Sequence, residues 1–341
     1  MNVNSKRIRA LIKLGDHLRR FDTNHENYSK LHFVIQKAMI YNRWFTELSV
    51  EETIKTWGIT LSEKEIEKWL SNYSITKKNN PKTIALILAG NLPMVGFHDL
   101  ICVLMSGHNA LVKCASKDLY LLPYMTQFLE QETGEVNFSY TKEILSDFDA
   151  VIATGSNNAA RYFDHYFSNY PNIIRKNRNG IAVLSGKETS EEFQLLGKDI
   201  LQYFGLGCRN VSKLYIPEGF NLDLIFGGLY PFKGVLEHAK YANNYDYNKA
   251  VFLMSEFDFL ENGFFMLRNE PSFSAPISCV HYEYYKNENA LKKHLTENKE
   301  AIQCTVSKLD INDSIPFGEA QRPSLRDYAD KVDTLLFLES L

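Results

Sequence analysis

The chain has 341 residues, 45% hydrophobic and 23% charged, with a formal net charge of −3. That length buries a large core in one to three domains, and so small a net charge gives no global basic field for nucleic acid. Five cysteines without paired spacing argue against a disulfide framework and against a zinc knuckle, so no metal is expected.

Residues 1–75 are predicted helical, because Ile8, Leu11, Ile12, Leu14 and Leu18 recur at helical spacing. This start is basic, but it lacks the apolar core and cleavage site of a signal peptide. No later run reaches the length of a membrane span, so cytoplasm is the expected location. Ser49-Val50-Glu51-Glu52 and Ser62-Glu63-Lys64-Glu65 are capping-box patterns, each opening a short helix. Trp44, Trp57 and Trp69 read as anchors docking this segment onto the body. A polar linker, Thr76-Lys77-Lys78-Asn79-Asn80-Pro81, follows.

The pattern then changes. Residues 83–89 form a continuous apolar run, as expected of a strand covered on both faces. It leads into Gly90-Asn91-Leu92-Pro93 and a helix over 97–105. Further strands are predicted at 110–113, 148–153 and 180–184, with helices at 121–132 and 159–167 between them. This alternation predicts a parallel α/β sheet with helices on both faces. Ligands of such sheets bind outside the carboxyl ends of the strands. The polar and glycine-containing residues there are Gly90-Asn91, 113–116, Thr154-Gly155-Ser156 and Ser185-Gly186. They predict a nucleotide-shaped crevice, although no Gly-x-Gly-x-x-Gly fingerprint is present.

A predicted helix over 191–204 ends at Gly205-Leu206-Gly207-Cys208-Arg209-Asn210. Of the five cysteines, only Cys208 has glycine on one side and a cation, Arg209, on the other. The backbone there can bend to present a sulfur, and a nearby positive charge favours a thiolate. Locally, a small residue closing a buried helix–strand corner accounts for the same pattern, and both readings stand at this point. Cys102, Cys114, Cys279 and Cys304 lie in apolar or β-like runs and read as core. Beyond Cys208 strands are predicted at 212–216, 250–254, 264–267 and 278–284, and helices at 222–229 and 289–298. Residues 334–338 read as a short apolar edge strand able to pair with another chain.

Taken in order, these pieces resemble the aldehyde dehydrogenase superfamily. Within it the chain is similar to the acyl-CoA reductase family of the LuxC type, the fatty acyl reductases of bacterial luminescence. The resemblance runs from about residue 82 to the C-terminus. It is carried by Gly90-Asn91-Leu92-Pro93, the segment from Gly107 to Ser116, Ala153-Thr154-Gly155-Ser156, Gly205-Leu206-Gly207-Cys208 and Pro316-Phe317-Gly318. The stretches 240–247 and Ala320-Gln321-Arg322-Pro323-Ser324-Leu325 resemble the acyl reductase branch in particular.

The implied fold is α/β and aldehyde dehydrogenase-like. It has a helical segment over 1–75, a Rossmann-like cofactor domain over 76–206, a catalytic domain over 207–310 and a C-terminal return segment over 311–341 with an oligomerisation strand. The implied chemistry makes Cys208 the nucleophile toward an acyl-CoA thioester, with the Asn91 amide and the Cys208 N–H stabilising the oxyanion. On residue type alone Asn91 also reads as a turn former. Lys113 matches the lysine that holds the adenosine ribose. Ser116 and Lys117 stand where NAD-preferring members carry a glutamate, which favours NADPH. Gly155 and Ser156 open a helix toward the pyrophosphate. His238 is a candidate acid–base or cysteine-orienting residue.

The family's water-activating glutamate has no counterpart in Arg175-Lys176-Asn177-Arg178-Asn179-Gly180, which suits reduction of an acyl-enzyme over its hydrolysis. The glutamate for the nicotinamide ribose, expected near 272–276, is not evident. An acyl-protein synthetase partner and a homo-oligomer are implied by the same resemblance. Two other readings are an aldehyde dehydrogenase running toward the acid and a non-catalytic subunit of an acyl-transfer complex.

Overall fold

The computed structural model describes residues 3–75 and 80–341. Four residues of the predicted linker, 76–79, lie outside the described residues. The chain divides into two compact units: one runs up to Lys176 and takes back Ser324–Leu341, the other is Asn177–Pro323.

The first unit opens with four helices, α1 (Val3–Arg19), α2 (Ser29–Tyr41), α3 (Glu47–Thr60) and α4 (Glu63–Leu70). The capping box of α3 is Thr46 with Ser49, so Thr46 is the N-cap and Ser49 the N3 residue that completes the box. Ser62 precedes α4 without a side-chain cap bond. The tryptophans anchor these helices as expected. Trp69 is fully buried and donates to the Tyr328 hydroxyl at 2.7 Å, and Trp57 meets the Phe97 ring edge-on.

Next come β1 (Thr83–Ile87), α5 (Phe97–Ser106), β2 (Asn109–Lys113), α6 (Leu121–Thr133), β3 (Phe138–Tyr140), β4 (Ala150–Thr154), α7 (Asn157–Tyr166) and β5 (Asn172–Arg175). The strands form one all-parallel sheet in the order β3-β2-β1-β4-β5. Central strands β1 and β4 are apolar because they are covered on both faces. All of α5 except His98 is buried, between the sheet's core and the α1 and C-terminal helices.

The second unit holds β6 (Asn179–Val183), α8 (Ser190–Leu201), β7 (Val211–Pro217), α9 (Asp223–Leu229), α10 (Ala239–Met254), β8 (Leu260–Glu261), β9 (Met266–Asn269), β10 (Cys279–Tyr285), α11 (Glu288–Glu297), β11 (Ile302–Val306) and β12 (Ser314–Ile315). Its sheet runs β12-β11-β6-β7-β10-β9-β8, parallel except for the β8–β9 pair.

Three predicted elements are corrected. The strand expected at 180–184 in the first sheet is β6, which pairs with β7 and β11 in the second. Residues 250–254 end helix α10, whose Tyr241, Tyr245 and Phe252 share one buried face. The run at 334–338, read as an edge strand open to another chain, is helix α12 (Thr334–Glu339) of the first unit. Asp333 caps it through the Leu336 N–H at 2.8 Å, and it packs on α5. The His108 imidazole meets the Leu338 carbonyl at 3.0 Å.

Candidate active site

Cys208 lies on a tight turn between α8 and β7, and it is the only exposed cysteine of the five. The helix expected to reach residue 204 stops at Leu201. Three carbonyls freed at that end, those of Asp199, Ile200 and Gln202, are taken by the Asn210 side-chain amide at 3.1, 3.2 and 2.8 Å. The Asn210 Oδ1 accepts from the Gly207 N–H at 2.8 Å, and the Asn210 N–H donates to the Gly207 carbonyl at 3.0 Å. One buried asparagine therefore closes the turn on both sides of Cys208 and fastens it to α8. Tyr203, Phe204 and Gly205 run consecutively in the left-handed region to reach it. Holding two bulky residues there costs energy that only a fixed turn would sustain.

The other thiols are set apart electrostatically. Burial pushes Cys102 well above the usual thiol range and Cys114 and Cys279 up to about 12. Cys304 is buried against the Arg209 carbonyl. The Arg209 Nε donates to the Ala320 carbonyl. The same loop is held again by Asp199, whose carboxylate accepts from the Gly318 and Ala320 N–H groups at 2.7 and 3.0 Å. Burial raises the Asp199 pKa to about 6, against the pull of those two N–H groups. The Pro316-Phe317-Gly318 stretch singled out by resemblance is thus tied to α8 beneath Cys208's turn. His238 belongs to the same unit. It precedes α10 without capping it, and its ring is tilted against Phe204 with centroids 4.3 Å apart.

The remaining predicted residues gather at one edge of the first unit's sheet. Strand β1 has β2 on one side and β4 on the other, so strand order reverses there. The crevice outside a reversal point is where open α/β sheets bind ligands. Gly90 and exposed Asn91 follow β1, Lys113 ends β2, Ser116 and Lys117 form an exposed turn after it, and Gly155 and Ser156 follow β4. Ser156 caps α7 through the Ala159 N–H at 3.3 Å.

These residues fit a nicotinamide dinucleotide. The first turn of α7 contains no acid, so its N–H groups and partial positive charge face an exposed Ser156-Asn157-Asn158 end. A Cβ on Gly155 would come within 2.9 Å of Ala159 Cβ and of the Phe163 ring, so glycine lets that helix end sit against the strand. Lys113 Nζ donates to the Glu143 carbonyl at 2.9 Å, and an ammonium has two further donors for ribose hydroxyls.

The stretch without a water-activating carboxylate begins inside the first unit. Arg175 is buried there, with its Nη1 and Nη2 on the two oxygens of buried Asp99 at 2.5 and 2.8 Å and a further bond to Thr334. Near the place expected for a nicotinamide-ribose carboxylate, Glu270 directly follows β9 and pairs with Arg268 at 2.9 Å.

Two parallel-sheet units of this topology define the aldehyde dehydrogenase-like fold. The structure is similar to an indole-3-acetaldehyde dehydrogenase from Pseudomonas syringae, a cysteine-to-alanine variant in complex with NAD+ and IAA. That match has a TM-score of 0.64 and 12% identity, over 92% of this chain and 78% of that one. It is also similar to the aldehyde dehydrogenase KauB of Pseudomonas aeruginosa (TM-score 0.61, 13% identity, 91% and 77%). A third is an aldehyde dehydrogenase C variant from Pseudomonas syringae with NAD+ and octanal (TM-score 0.59, 9% identity, 86% and 70%). No protein-family model and no curated protein matches the chain. No helix among the described residues is long and apolar enough to cross a membrane.

Proposed function

We propose that the protein is an NADPH-dependent acyl-CoA reductase that releases an aldehyde through a Cys208 thioester. The observation that carries this reading is the Cys208 turn: one exposed thiol on a strained, doubly fastened loop, while burial withdraws Cys102, Cys114 and Cys279 from nucleophilic chemistry. The Cys208 thiolate attacks the thioester carbonyl, the tetrahedral oxyanion draws on the Asn91 amide and the Cys208 N–H, and the CoA thiolate leaves as the carbonyl re-forms. The chemistry a bound nicotinamide contributes is delivery of a hydride to that carbonyl. Cys208 then departs as a thiolate and the aldehyde is free.

Lys113 would hold the adenosine ribose, Ser116 and Lys117 a 2′-phosphate, and the Gly155–Ser156 end of α7 the pyrophosphate. The absence of a carboxylate between Arg175 and Gly180 supports reduction over hydrolysis. Burial of the Arg175 side chain against Asp99 leaves that position committed to packing. His238, tilted on Phe204, is proposed as the acid–base or cysteine-orienting residue.

Product analysis tests the reading. With a long-chain acyl-CoA and NADPH the expected products are the aldehyde and CoA, with NADH a poorer substitute. Release of the free acid in place of the aldehyde would instead identify a dehydrogenase that runs toward the acid.

A further inference from the structure

The turn that carries Asn91 is gripped at both ends by buried side chains that the chemistry above does not use. At its start the Asn42 Nδ2 donates to the Gly90 carbonyl at 2.9 Å. Asn42 is 1% exposed, and its Oδ1 accepts from the Trp44 N–H at 3.0 Å, so both ends of the amide are engaged. Past Asn91 the Asp118 carboxylate, also 1% exposed, accepts from the Met94 N–H at 3.2 Å. The Leu121 N–H supports the same carboxylate from the start of α6.

The turn does not hold its own shape. Met94 is a non-glycine residue with φ of 60°, and Gly96 follows at 87°, packed so closely that a Cβ would lie 2.5 Å from Leu88 Cδ2. Such a backbone persists only where its surroundings over-determine it.

We propose that Asn42 and Asp118 are positioning residues for Asn91: they fix the backbone from Gly90 to Met94 and so aim the amide at the oxyanion. This rests on the acyl-transfer reading. Neither residue touches the reacting atoms. Ionised Asp118 is the stronger acceptor of the two N–H groups, so the grip tightens as it loses its proton. Burial raises its pKa to about 7, and the Met94 and Leu121 N–H groups act the other way. The groups facing its charge are the Cys114 thiol and the Tyr140 hydroxyl, both kept neutral by burial. Along its own segment the charged neighbours are Lys113 and Lys117.

Two rates on the same protein isolate this role. One is single-turnover acylation of Cys208 by an acyl-CoA, read as CoA release. The other is alkylation of Cys208 by iodoacetamide, which forms no oxyanion. For Asp118→Asn and Asn42→Ala the acylation rate is expected to fall about 10-fold or more while alkylation stays within about twofold. In the wild type the ratio of the two rates rises with pH through about 7, because thiolate formation cancels and Asp118 ionisation remains; in Asp118→Asn it is flat.

Equal loss of both rates, or no loss of either, overturns the positioning role. So does a flat wild-type ratio, a readout that needs no variant to fold. A wild type that is alkylated but never acylated defeats the acyl-transfer reading and the positioning role with it.

Discussion

Asn91→Ala is expected to slow acylation of Cys208 by an acyl-CoA roughly 10²–10³-fold, the usual loss for one oxyanion donor. The residue stands exposed just beyond β1, at the reversal point of the first unit's sheet. Asn91 is exposed, so its replacement should cost little thermal stability. Asn91→Asp should be no better, because a carboxylate cannot donate and repels the developing charge. Stopped-flow CoA release reads the effect. A loss below about threefold would show that another donor carries the oxyanion.

The largest stability effect is expected at Asp99. Its side chain is 2% exposed, and it is the ionic partner of an Arg175 side chain that is 7% exposed. Asp99→Ala strands a guanidinium in the core of the first unit, which costs roughly 3–5 kcal/mol. Replacing both, as Asp99→Leu with Arg175→Met, should recover most of that loss, because two apolar side chains need no desolvation. Arg175 also bonds Thr334, so part of the loss is the docking of α12. Urea unfolding of the single and double variants measures it. A single variant as stable as the wild type would show that the pair is solvated.

Much of this fold was legible because buried parallel strands leave a simple mark. Strands β1, β2 and β4 stood out as apolar runs ending in glycine or polar turns. The edge strands β3 and β5 did not, since each is short and partly exposed. Runs 250–254 and 334–338 were too short for their period to decide between strand and helix. Packing of Phe252 and capping by Asp333 decided it.

The exposed turn at Cys208 was legible from the glycines beside it. The residues that hold it and Asn91 were not. Asn42 grips a carbonyl 48 positions away, Asp118 an N–H 24 away, and Asp199 an N–H 119 away. Each reaches main chain, which has no residue type to recognise, and a lone Asn or Asp between predicted elements reads as a turn former. The early end of α8 was hidden for the same reason, because the amide of Asn210 replaces the bonds that would have continued it.

Peptide mapping of the protein after incubation with a labelled long-chain acyl-CoA decides whether Cys208 carries the acyl group. One labelled peptide is expected, containing Cys208, its label discharged as aldehyde on adding NADPH, and none on Cys208→Ala. An unlabelled wild type, or a label that persists in Cys208→Ala, would contradict that role.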